Sequence, residues 1–419
     1  MTTPAGARPW RLLVLGAFLL PAAANALEGD RIRPFAGLSY TYQDNVFFLD
    51  DRIDAGALSF IKGGQRSDQT LGLRAGLDMD WYYSRQTFAL RSQITNNRHV
   101  TYDSLNYNAY NVKGTWNWVV GERWDGDAGV ETSQVASNLY DFVTGDRTDR
   151  NLRRLNALFA SAMLRMSPDW KLRGAVRYAQ TRSSIARFAV FDRDELTLEA
   201  GSRYYSKGTD DFIGLNFRVL EGEMPNRQIV SSLATVNAYR QYTAEGVVEY
   251  QAGGSTKVTG NLGYTTRRHD DFPQRDFSGL TGRAAVRYAL TGKTTLNGSV
   301  SREIGAWEDI TTNYILTQGF DAGISQAVTE KVSVQGSYQW RKRDFSGDPG
   351  IVVIGLPSRS DTIQTLALSA VWLPVRTVRL DSTLSRTNRS ANGAWAANGF
   401  GTFNDFEVLT LSVGAQVTF

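Results

Sequence analysis

The last sixteen residues, Asn404 to Phe419, read NDFEVLTLSVGAQVTF. Leu409, Leu411, Val413, Ala415, Val417 and Phe419 share one parity, and Thr410, Ser412, Gly414, Gln416 and Thr418 take the other. Strict alternation with period two is the signature of a strand with one dry face and one wet face. A soluble sandwich strand alternates too, but it rarely closes a chain on a terminal aromatic residue after so regular a run.

The same pattern recurs along the chain. Arg33 to Gln43 is a first strand, with Phe35, Gly37, Ser39 and Thr41 opposite Ala36, Leu38, Tyr40 and Tyr42. Gln69 to Tyr83 sets Leu71, Leu73, Ala75, Leu77, Met79 and Trp81 against Gly72, Arg74, Gly76, Asp78 and Asp80. After a Ser84-Arg85 turn, Gln86 to Asn96 alternates again. Turn-forming residues predict short connections near 84–85, 119–123, 167–169, 206–209, 252–255, 291–293, 329–330 and 373–375. Longer polar connections are predicted near 44–68, 98–104, 138–149, 182–192, 222–232, 268–275, 306–312, 344–360 and 389–403. Eight short turns and nine long loops give eighteen strands, with sixteen as the alternative and both termini on the short-turn side. A weak repeat supports this: WKLRGAVRYAQTR from Trp170, TKVTGNLGYTTRR from Thr256, KVSVQGSYQWRKR from Lys331 and RTVRLDSTLSRTNR from Arg376 each follow a short turn.

Met1 to Ala26 reads as a secretory signal peptide, with Arg8 and Arg11 before the apolar Leu12 to Leu20 and a small-x-small site at Ala24-Asn25-Ala26. The mature chain, 27–419, is then a single domain with no apolar run long enough for a membrane-spanning helix. The chain has no cysteine, 39 glycines and 11% aromatic residues. An exported chain of long alternating strands, rich in Gly and aromatics, predicts an all-β transmembrane antiparallel barrel of the outer-membrane type, up-and-down in topology. Its aromatics cluster beside the short turns (Trp81, Tyr82, Tyr83, Trp116, Trp118, Trp124, Trp170, Tyr204, Tyr205, Tyr250, Tyr288 and Trp372), as an interfacial girdle would. The terminal strand then resembles the sorting signal read by the barrel-assembly machinery, carried by Phe419, Val417 and Val413.

If the apolar parity meets lipid, the other parity lines a lumen. That face would carry Arg74, Asp78, Asp80, Arg91, Arg173, Arg177, Glu199, Arg203, Arg218, Arg283, Arg287, Asp321, Arg379 and Asp381, joined by Glu245 and Glu249. An Arg or Lys facing lipid at mid-depth costs about 2–4 kcal/mol, which motivates the inward assignment. Such a wall suits a hydrophilic or anionic solute, or it is a set of ion-pair ladders bracing a wet interior. No catalytic residues, metal site or cofactor are expected. The two histidines, His99 and His269, lie near strand ends, and no nucleophile–His pairing or phosphate-binding loop is legible. Asp44, Asn45, Asp50 and Asp51 read as an acidic solvated loop rather than a Ca²⁺ site. The export signal argues against a nucleic-acid partner.

The mature N-terminus, GDRIRPFAGLSYTYQDNVFFLDD from Gly29 to Asp51, resembles the EpsL-type outer-membrane proteins of exosortase-linked exopolysaccharide operons, within a broader β-barrel porin group. The Arg-x-x-Pro, the aromatic strand and Asp44-Asn45-Val46-Phe47 carry the likeness. The resemblance implies a barrel through which a secreted polysaccharide chain leaves the cell, fed by periplasmic and inner-membrane export components. The expectation is therefore a non-enzymatic export channel in outer-membrane lipid, with periplasmic termini. A general or sugar-specific diffusion porin is the alternative within the same class. A surface anchor or adhesin whose loops, such as 44–68 and 344–360, bind extracellular polymer is the alternative from another class.

Overall fold

The computed structural model describes residues 31–137, 150–226, 238–270, 273, 276–305, 314–346, 359–392 and 405–419. The leader read at 1–26 lies outside them, as do most of the long connections after residue 137. The first strands are β1 (Arg31–Gln43), β2 (Asp68–Tyr83), β3 (Gln86–His99), β4 (Tyr107–Val120), β5 (Trp124–Ala136) and β6 (Leu152–Arg165). They are followed by β7 (Trp170–Ser183), β8 (Arg193–Tyr205), β9 (Phe212–Glu223), β10 (Ala238–Ala252), β11 (Thr256–His269) and β12 (Phe277–Ala289). The last are β13 (Thr294–Gly305), β14 (Tyr314–Ala327), β15 (Val332–Ser346), β16 (Arg359–Val375), β17 (Val378–Ala391) and β18 (Phe406–Thr418). Each strand pairs antiparallel with its sequence neighbours, and β1 also pairs with β18, so the 18-stranded sheet closes on itself. Closure matters because an open edge leaves unpaired N–H and C=O groups, which lipid cannot satisfy.

Seven of the eight short turns fall where turn chemistry predicts them, within two residues or so. The eighth does not. Pro374 sits where a turn was expected at 373–375, but β16 runs on to Val375 through a register shift between Trp372 and Val375, and the turn is Arg376-Thr377. Proline cannot donate to a ladder, so it is placed in a bulge, and its carbonyl accepts from the Lys331 Nζ at 2.9 Å instead. The loop expected at 222–232 begins later, because β9 continues to Glu223, and β10 begins at Ala238.

The register settles which side chains share a face. Leu38 opposes Leu73 and Ala415, and Tyr40 opposes Leu71 and Val413. Followed around the barrel, this parity forms the outer surface, where Leu215 is 68% exposed, Leu262 66% and Leu366 62%. Apolar exposure on that scale is untenable in water but ordinary against lipid. Among the described residues, charged side chains on the outer face lie in the loop-side half of their strands: Arg98, Arg154, Arg182, Asp194, Glu221, Glu223, Arg240, Arg268, Arg302, Lys342, Asp344, Arg386 and Glu407. Below them is an uncharged belt of the kind that is about 25 Å tall in outer-membrane barrels. Trp81, Tyr83, Trp116, Trp124, Trp170, Tyr204, Tyr250, Tyr288 and Trp372 ring its turn-side border. Tyr82 and Tyr205 depart from the expected girdle, since their parity turns them to the inner face.

Candidate functional site

The register places all fourteen charged residues singled out from the sequence on the inner face, together with Glu245 and Glu249. Among the described strand side chains, that face carries twenty Arg and Lys and fourteen Asp and Glu, an excess of six positive charges. The whole sequence has a net charge of only +4, so the imbalance is concentrated inside the barrel.

These groups form short ladders running across the strands. Arg173 donates to Glu199 at 2.8 Å. Arg218 reaches both Glu199 at 3.2 Å and Glu245 at 2.9 Å, and Asn261 donates to Glu245 at 2.8 Å. One chain of contacts therefore joins β7 to β11. Arg177 pairs with Glu131 at 3.3 Å, and Lys113 lies 5.2 Å from the Phe159 ring. Near the turns, Asp80 accepts from Arg33 at 2.9 Å and from Arg91. Asp321 takes Arg341 at 2.6 Å and Ser299 at 2.7 Å, with Arg283 at 4.0 Å. Arg379 and Arg74 both approach Asp381 at 3.6 Å. The more exposed of these pairs, such as Arg379 with Asp381, contribute at most about 1 kcal/mol each, and Glu199 and Glu245 are more covered, so the ladders chiefly fix side-chain positions along the wall.

The mouth on the long-loop side is a second constellation, and the sequence reading missed it. Residues 44–67, expected as a polar loop, fold inward around an apolar centre. Val46, Phe47, Leu49, Ala55 and Ile61 are buried against Tyr102 and Leu105 from the β3–β4 loop and Phe188 and Phe191 from the β7–β8 loop. Phe47 packs edge-on to Tyr102 with centroids 4.7 Å apart and to Phe60 at 5.3 Å. Asn45 pins the entry turn: its side chain donates to the Leu49 carbonyl at 2.7 Å and accepts from the Leu49 N–H at 2.9 Å. Arg52 ties the cap to both Asp50 at 2.6 Å and Asp405 of the β17–β18 loop at 2.9 Å. Because β1–β2 and β7–β8 are separated along the barrel wall, loops that meet must do so over the opening. The result is a cap over part of the mouth with its own core.

The acidic residues of this loop are occupied within the protein. Asp44 accepts from the Leu409 N–H, Asp50 binds Arg52 and Asp51 binds Arg66. The Arg52 guanidinium holds the Asp50 carboxyl below the usual carboxylate range. Among the described residues, no three His, Cys, Asp or Glu side chains gather as metal ligands would. His99 is buried beneath the cap, 3.0 Å from Asp68, with the Thr70 hydroxyl at 3.3 Å. His269 stands 3.6 Å from Asp276. Both histidines end their strands and brace the loops above.

Residues 237–416 match the family described as "Putative beta-barrel porin 2", which supports a β-barrel porin family for this chain. No curated protein matches it by sequence. In structure it is similar to Pseudomonas aeruginosa OccK2 (OpdF), at 12% identity and a TM-score of 0.50, covering 94% of this chain and 99% of that one. OccK2 (OpdF) in complex with glucuronate gives 11% identity and 0.49, over 94% and 99% of the two chains. P. aeruginosa OpdK with vanillate gives 12% and 0.48, over 94% and 100%. Likeness at this level concerns the fold: a closed barrel of the outer-membrane type, with a porin-like architecture.

Proposed function

We propose that the protein is a passive, non-catalytic channel for hydrophilic solutes across the outer membrane, selective for anions. The observation that carries this reading is the excess of six positive charges among the described strand side chains on the inner face of a closed barrel whose outer face carries an uncharged apolar belt in its turn-side half. An eighteen-strand barrel is wide enough to leave an aqueous passage. Cations fixed along a low-dielectric wall raise the local anion concentration and repel cations. In this reading the short turns and both termini face the periplasm, the cap faces outward and Phe419 serves the barrel-assembly machinery during insertion.

Export of a polysaccharide chain is the second reading. It is favoured by one observation: the Asn45 to Leu49 part of the EpsL-like segment is the buried heart of the cap, so the residues that carry that resemblance shape the opening. Periplasmic and inner-membrane export components would then be partners. A surface anchor is less well supported, because the 44–67 loop turns its apolar side chains inward to the cap rather than outward to a polymer.

Discrete conductance steps from the purified protein in planar bilayers support a channel. Their absence, with the cap residues shortened as well, contradicts it. Deleting the gene then separates the two channel readings: loss of extracellular polysaccharide points to export, and lost uptake of small anionic solutes points to a diffusion porin.

A further inference from the structure

One stretch of the inner wall is charged beyond what its own neighbours balance. Lys257 on β11 and Arg287 on β12 are directly opposite in the register. Like charges at such a pair, about 4.5–5.5 Å apart at Cβ, are destabilising. Glu249 answers Lys257 at 2.5 Å, but Arg287 has no ion-pair partner among the described residues. Next along the wall, Arg283 and Arg341 share the single carboxylate Asp321, which Arg341 and Ser299 already engage at 2.6 and 2.7 Å, leaving Arg283 at 4.0 Å. These cations border a recess of about 510 Å³ that spans β11 to β15. That volume is within the ~300–1,000 Å³ usual for small-molecule sites. Between the cations stand neutral hydrogen-bonding side chains, notably Asn297, Gln335 and Gln339.

A second recess on the inner wall, between β4 and β9, is a contrast. It is about 370 Å³ and also holds three arginines, but Arg173 and Arg218 are taken by Glu199, and Arg177 by Glu131. Every arginine of that recess has a carboxylate partner, and its Lys113 lies against the Phe159 ring, whereas Arg287 in the first has neither among the described residues.

We propose that the β11–β15 recess binds an acidic saccharide unit, with its carboxylate held by Arg287 and Arg283 and its hydroxyls by Asn297, Gln335 and Gln339. A planar guanidinium matches a carboxylate with two parallel hydrogen bonds, and side-chain amides both donate to and accept from sugar hydroxyls. A free sugar acid and a uronate within a polymer present the same chemistry. The proposal rests on the channel reading for the route by which either arrives.

Calorimetric titration of the purified wild-type barrel in detergent tests it, with galacturonate, oligogalacturonate, galactose and sodium sulfate as probes. Saturable binding of galacturonate or its oligomer is expected, with galactose and sulfate at least about tenfold weaker. Arg287→Gln should weaken binding by about tenfold or more, the worth of one charge-assisted hydrogen bond. Arg203→Gln, on the inner face outside the recess, should not. A monomer preference identifies the free acid as the ligand, and an oligomer preference identifies the chain. Equal binding of galactose or sulfate, or unchanged binding in a folded Arg287→Gln barrel, overturns the site. Conductance read in parallel keeps the two ideas apart: conduction without uronate binding removes the site alone, and binding without conduction removes the channel alone.

Discussion

Arg74 on β2 and Asp381 on β17 approach to 3.6 Å across the seam where the barrel closes, spanning β1 and β18 between them. Two glycines make the crossing possible. A Cβ at Gly37 would lie 2.8 Å from the Arg74 Nε and 2.6 Å from the Ala415 carbonyl oxygen, and one at Gly414 would lie 2.7 Å from the Asp381 carboxylate. The first and last strands to be made are therefore bridged from their outer neighbours as well as by their own ladder.

The seam predicts an order of stabilities. Gly37→Ala meets backbone and should cost the most, about 1–3 kcal/mol of overpacking strain. Gly414→Ala meets only the movable end of Asp381 and should cost less. Arg74→Ala removes a partly hydrated ion pair and should cost at most about 1 kcal/mol. Heat-modified migration of the barrel on gels reads this order; Arg74→Ala as the most damaging of the three would refute it.

The cap predicts a separation of mouth from barrel. Phe47 is 1% exposed at the centre of the cap core. Phe47→Ala should remove about 3–5 kcal/mol from the cap, whose small core centres on this ring. Single-channel conductance should rise or become noisier, while the thermal unfolding of the barrel stays within a few degrees of wild type. A lower barrel stability with unchanged conductance would show that the cluster supports the wall instead.

The cap should also loosen in acid. The Asp50 carboxyl, held down by Arg52, titrates below its ordinary value of 3.8. Its contribution is complete above that ordinary value and is lost as pH falls through the lower folded one. Hydrogen exchange of residues 44–66 should therefore accelerate only below about pH 4. Asp50→Asn should show fast exchange already at neutral pH. Acid-insensitive exchange in the wild type would contradict the role given to this pair.

Much of this architecture was legible in the sequence because a barrel wall repeats one local rule. Period two fixes the parity of Leu71 or Arg74 from a few neighbours, and turn residues mark where each strand stops. What was not legible is tertiary. Val46, Phe47 and Leu49 sit among Asp and Asn with no periodicity, and only contact with Tyr102, Leu105, Phe188 and Phe191 reveals them as core. Arg74 and Asp381 lie near opposite ends of the chain, so nothing local links them. The composition marks Pro374 as a breaker but does not tell a bulge from a turn. The unbalanced charge of Arg287 depends on which side chains oppose it, and that is a property of register rather than of composition.

The terminal residue gives a test of assembly apart from transport. Phe419 donates its backbone N–H to the Pro34 carbonyl at 2.8 Å, just past the end of β18, with its ring exposed. Deleting it removes one contact at the seam and the aromatic end. Outer-membrane levels should fall severalfold in cells, while protein refolded in detergent should conduct as wild type does. Normal surface levels of the truncated chain would remove the role given to the barrel-assembly machinery.

The most direct test of the channel account is the reversal potential of the reconstituted barrel under a potassium chloride gradient. The excess of positive charge on the inner face predicts a potential displaced toward the chloride equilibrium value, and a smaller displacement when Arg283 and Arg287 are both changed to Gln. A reversal potential at the potassium value, or one that does not respond to the double substitution, would contradict an inner wall that selects by its unbalanced cations.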